Sequence, residues 1–221
     1  MRIASTLSET LYTFLLAWWH HKCFISDSVV FIYSKTSTPA AATAVLPGLE
    51  NPYVSSFGLS RPENPGGISF PLFRSVEFEM YLHPFQLKAL AEKKEPPKAR
   101  AAFDIYGFGL MLSEVGFWNK VGNITGISNK KVSSSSSSSN SSSGSGNGKN
   151  GGPWGSEEVR RLVVAKCESG LACWAGRRYR DVVLMFLRAE DVMNGGVGED
   201  LSDFFDLVVA ELAKCCDDWV F

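Results

Sequence analysis

Apolar residues recur at helical spacing near the N-terminus, where Leu7, Leu11, Phe14, Leu15 and Trp18 fall at i, i+4, i+7, i+8 and i+11. That spacing predicts one buried face of a soluble helix. The period then changes, because Val29-Val30-Phe31-Ile32-Tyr33 is a β-branched and aromatic run behind the turn cluster Ser26-Asp27-Ser28. A strand is predicted there. Lys35 to Pro52 is rich in Thr, Ala, Pro and Gly and predicts an exposed connection to a second short strand at Tyr53 to Ser55. Pro62 to Pro71 carries three prolines and two glycines and admits no regular element.

Helical spacing returns at His83 to Lys94 and at Asp104 to Gly116, where Ile105, Phe108, Met111, Leu112 and Val115 share a face and Asp104 is placed to cap the N-terminus. Gly107 and Gly109 lower the intrinsic propensity of that second helix, so it is expected in the core, closely packed on a neighbour. Three more helices follow. They run from Glu157 to Ala172, from Tyr179 to Arg188 with Tyr179, Val182, Val183, Phe186 and Leu187 aligned, and from Leu201 to Cys216 with Leu201, Phe204, Phe205, Val208, Leu212 and Cys215 aligned.

Composition changes this picture at one place. Residues 133–153 are almost wholly Ser, Gly, Asn and Lys, too polar to offset the entropy of ordering, and are expected to be a disordered insertion within one domain. The 221 residues, 45% apolar, otherwise suffice for a single core. With 22 Lys+Arg against 23 Asp+Glu, a net charge of −1 and no block of one sign, neither a nucleic-acid partner nor a membrane surface is indicated.

Cys23, Cys167, Cys173, Cys215 and Cys216 are odd in number and lack the paired spacing with histidines that zinc requires; they predict reduced thiols in a cytoplasmic protein. The run from Leu11 to Trp19 resembles a secretory signal only superficially, since Glu9 precedes it, Trp18-Trp19-His20-His21 close it, and no small-x-small cleavage site follows. It is also far short of the ~20 residues that span a bilayer. A secreted or membrane-anchored protein is therefore the weakest reading.

Three segments carry chemistry when taken in order: His21-Lys22-Cys23-Phe24-Ile25-Ser26-Asp27-Ser28, then Ser56-Phe57-Gly58-Leu59-Ser60-Arg61, then Asp104-Ile105-Tyr106-Gly107-Phe108-Gly109. Together they resemble the catalytic loop H-R-D-L-x-x-x-N, the D-F-G segment and the start of the central helix in the C-terminal lobe of protein kinases. A closer resemblance is to the kinase-like C-terminal domain of filamentous-fungal proteins that carry an N-terminal HeLo, or prion-inhibition and propagation, domain. It rests on Trp19-His20-His21-Lys22-Cys23, Ser26-Asp27-Ser28-Val29, Phe57-Gly58-Leu59-Ser60-Arg61-Pro62, Tyr81-Leu82-His83-Pro84, Asp104 through Trp118, and Gly176 through Val183. It runs from residue 7 to residue 216. The fold class it implies is α+β, mainly α: a kinase-like helical lobe with short strands, lacking the N-terminal lobe.

The resemblance also implies lost chemistry. Cys23 stands where the catalytic Asp would be, Ser28 where the metal-binding Asn would be, and Ser56 where the D-F-G Asp would be. Magnesium favours hard, usually charged oxygen ligands, which two serines replace poorly. Asp27 lies beside the Asn place and is expected to point elsewhere. His21 is implied to pack the loop against the Ser56 segment, and Asp104 to bond backbone amides of the loop, with Gly109 structural beside it. Neither a Gly-rich loop nor a V-A-I-K-like strand occurs in the 20 residues before His21. The expectation is a degenerate, non-enzymatic domain with neither cofactor nor metal, its exposed apolar surface taken up by a protein partner. The alternative is an active Ser/Thr kinase using ATP and magnesium.

Overall fold

The computed structural model describes residues 2–22, 24–32, 51–62, 76–92, 94, 97, 100–127, 157–189 and 199–217. Cys23, the 133–153 tract and the end of the predicted strand at Tyr33 lie outside them. Helix α1, Arg2–Leu16, forms where the apolar spacing predicts and buries Ala4, Leu7, Ser8, Leu11 and Leu15. Trp18 does not join that face. The helix has ended before it, the residue takes a left-handed φ of 54°, and its side chain is 56% exposed.

Four short strands follow among the described residues, each too brief to build a sheet alone. β1, Trp19–His20, pairs antiparallel with β4, Arg61–Pro62, with Trp19 opposite Pro62 and His20 opposite Arg61. β2, Val29–Phe31, pairs antiparallel with β3, Pro52–Val54, placing Val30 opposite Tyr53. The second predicted strand therefore begins one residue early, at a proline that a ribbon edge tolerates. These two ribbons bring residues 20–22 and 24–28 against residues 54–62.

The other regular elements among the described residues are helices: α2 Val76–Glu79, α3 Pro84–Ala91, α4 Ala101–Phe117, α5 Val121–Ile124, α6 Glu158–Lys166, α7 Ala172–Ala175, α8 Arg177–Leu187 and α9 Glu199–Asp217. The fold is mainly helical with a few short strands, as expected. α3 is shorter than the predicted His83 to Lys94, since His83 is its N-cap and Pro84 its first residue.

α4 is the hub, buried without interruption from Asp104 to Glu114. α8 packs along it, α9 packs on α8, and α9 also packs on α1. Tyr12 of α1 stacks on Phe205 of α9 at 4.9 Å between ring centroids, and its hydroxyl donates to Ser202 Oγ at 3.0 Å. Residues near the two ends of the chain thus share one core. Ile127 and Val159, on either side of the Ser-rich tract, also belong to it.

Two glycines explain how closely the helices approach. A Cβ on Gly109 would meet Phe186 Cβ at 2.9 Å and Leu187 N at 3.1 Å, and one on Gly116 would meet Leu171 Cδ1 at 2.6 Å and Tyr179 Cε1 at 2.7 Å. Gly107 differs from expectation: a Cβ there would sit in ordinary contact, 3.7 Å from Phe24 O and 3.8 Å from Tyr81 O. The predicted helix from Glu157 to Ala172 is also not one regular helix. A π-turn at Cys167–Leu171 joins α6 to α7 and lets Leu171 reach under Gly116.

Candidate functional site

The three segments singled out in the sequence meet around His21: the carboxylate of Asp104 holds the loop from one side, and the Ser56 segment packs on it from the other. Asp104 Oδ2 accepts the backbone N–H of His21 at 3.1 Å, and its Oδ1 accepts that of Lys22 at 2.7 Å. His20 Nδ1 lies 3.3 Å from Oδ2, with both side chains almost completely buried. Hydrogen bonds to an ionised acceptor are the strong kind, and a buried one fixes the loop that donates them.

Asp104 does not cap its helix. α4 begins at Ala101 after Arg100, which makes no side-chain cap, so Asp104 lies inside the first turn. From there its carboxylate points across to the loop instead of back to its own backbone. The physical reason is position: as the fourth residue inside the helix, Asp104 is not at the N-cap place that precedes the first turn, and its carboxylate is left to serve the loop.

The second segment is stitched to the first at both ends. His21 Nε2 lies 2.8 Å from Ser55 O, and because a carbonyl only accepts, Nε2 carries the hydrogen. Ser55 N and Ser55 Oγ both donate to Ser28 O, at 2.7 and 2.9 Å. Ser60 Oγ donates to His21 O at 3.2 Å. The Phe57 ring meets His21 edge-on at 5.0 Å and Phe14 at 5.6 Å, while Phe24 links His21 to Phe108 of α4. His21 is therefore buried at the join of α1, the loop and the Ser56 turn.

Left-handed backbone marks both segments: φ is 63° at Lys22 and 66° at Ser56. Neither residue is glycine, so each conformation costs on the order of 1 kcal/mol and is held by the surrounding bonds. Ser56 and Gly58 are exposed, and Phe57 is 44% exposed.

The hydroxyl of Ser28 is spent locally. It donates to Ile25 O at 2.7 Å and accepts Ile25 N–H at 3.2 Å, in a 3-10 turn of which Ser28 is the buried residue. Asp27 points away into solvent, where its Oδ1 pairs with Lys120 Nζ at 2.5 Å; Lys120 also reaches Ser26 Oγ at 2.8 Å. Among the described residues, no group of three or more His, Cys, Asp or Glu side chains gathers as a metal site would need.

Sequence reasoning missed a buried carboxylate. Glu114 Oε1 accepts both the Tyr81 hydroxyl and, at 2.8 Å, the N–H of Val121, the first residue of α5. Burial first, then the nearby Glu114 charge, pushes the Tyr81 phenol well above its ordinary range. The only available signal was a Glu among apolar residues near the end of a buried helix.

His83 caps α3 by accepting Phe85 N–H on Nδ1 at 3.2 Å, and it packs 5.1 Å from both Phe103 and Tyr106. Burial, with smaller contributions from Arg160 and Arg100, lowers its pKa to about 4. Cys167 and Cys215 are buried in the core, and burial, aided by Glu168, pushes the Cys167 thiol up to about 12, which keeps it unreactive. Among the described residues no helix is long and apolar enough to cross a membrane. Compared with known protein families, with curated proteins and with solved structures, the chain matches none.

Proposed function

We propose that this chain is a protein-kinase-like C-terminal lobe that has lost phosphotransfer chemistry and acts in the cytoplasm through contacts with a protein partner. The observation that supports the reading is the way Asp104 holds the loop while the Ser28 hydroxyl is used inside its own turn. Asp104 grips the backbone of His21 and Lys22, as the central-helix Asp of kinases is implied to do, yet the Ser28 hydroxyl is buried and engaged twice by Ile25. A hydroxyl already donating and accepting inside its own turn offers a magnesium ion little. Ser56 contributes only a neutral oxygen at the other would-be ligand place.

Contact with a partner is supported by the outer face of the β2–β3 ribbon. Val30, Ile32 and Tyr53 are 41%, 66% and 51% exposed there. Adjacent exposed apolar residues favour association over a free surface.

The test is a thermal-unfolding titration with magnesium and ATP, alongside a measurement of oligomeric state for the chain expressed alone. No nucleotide-dependent rise in Tm, and self-association or poor solubility, are expected. A saturable rise in Tm that Ser56→Ala abolishes would favour the ATP-dependent Ser/Thr kinase instead, and a well-behaved, cooperative monomer would count against the need for a partner.

A further inference from the structure

We draw no further inference here: the strongest candidate, the exposed apolar face of the β2–β3 ribbon formed by Val30, Ile32 and Tyr53, belongs to the interaction surface already described, and nothing in the structure shows what covers it.

Discussion

The backbone N–H of Lys22 donates across 2.7 Å to Asp104 Oδ1, while Lys22 itself sits at a left-handed φ of 63°. Those two facts are one arrangement. The turn at Lys22 is what aims consecutive N–H groups, its own and that of His21, at the two oxygens of a single carboxylate. Without the carboxylate, the loop would keep the conformational cost and lose the bonds that offset it.

Replacing Asp104 should therefore be among the most damaging changes in the chain. Asp104→Ala removes two charge-assisted bonds and leaves buried donors unmatched, so a loss of about 3 kcal/mol in unfolding free energy is expected. Asp104→Asn retains one acceptor oxygen and should fall between the two. Urea unfolding of the three proteins measures this, and an alanine variant within about 0.5 kcal/mol of the parent would contradict the role assigned here.

Gly107 and Gly109 should respond to alanine with opposite signs. At Gly109 the new methyl would press on Phe186 Cβ at 2.9 Å and on the Leu187 backbone at 3.1 Å, which overpacks the α4–α8 contact and should cost about 1–3 kcal/mol. At Gly107 it would meet only ordinary contacts, so the gain in helix propensity, up to about 1 kcal/mol, should dominate. Paired thermal melts decide the matter; equal shifts in one direction would mean that close packing does not set these positions apart.

Ser56→Gly should stabilise the fold. The serine holds φ at 66°, where glycine has no Cβ penalty, although glycine also gains freedom in the unfolded chain. The net expectation is a stabilisation of up to about 1 kcal/mol. Chemical denaturation would show it, and a clear loss of stability would indicate that the Ser56 side chain makes a contact worth more than the strain.

His83 should make stability fall in mild acid. Its pKa is lowered from 6.5 to about 4 in the folded chain, so below about pH 6.5 the unfolded chain binds a proton that the folded one refuses. Stability is full above that pH and declines toward about pH 4, by on the order of 2–3 kcal/mol. His83→Asn keeps a cap acceptor and does not titrate. The difference between parent and variant across that window isolates the histidine; superimposable pH profiles would rule the effect out.

Periodicity was most informative where a helix has one wet face. α8 and α9 bury every apolar residue assigned to them, Tyr179 to Leu187 and Leu201 to Cys215, because one-sided burial writes itself into the spacing of apolar residues. α4 is different. Its burial runs on from Asp104 through Glu114, so no polar face marks where it begins, and its start at Ala101 precedes Asp104, the first polar residue of the pattern. Trp18 misled for the opposite reason, since a residue can keep the period after the helix has stopped.

The amino-acid order by itself determined a mainly helical chain with short strands and the buried faces of its helices. Only the tertiary structure decided which oxygen meets which N–H: that Asp104 serves the loop and not its own helix, that Ser28 is closed on Ile25, and that Glu114 ties Tyr81 to the start of α5. Apolar burial is set by local periodicity and so can be read along the chain. A buried hydrogen bond depends on angle and on tenths of an ångström between residues more than 80 positions apart, as in His21 and Asp104, and that geometry exists only after the chain has folded.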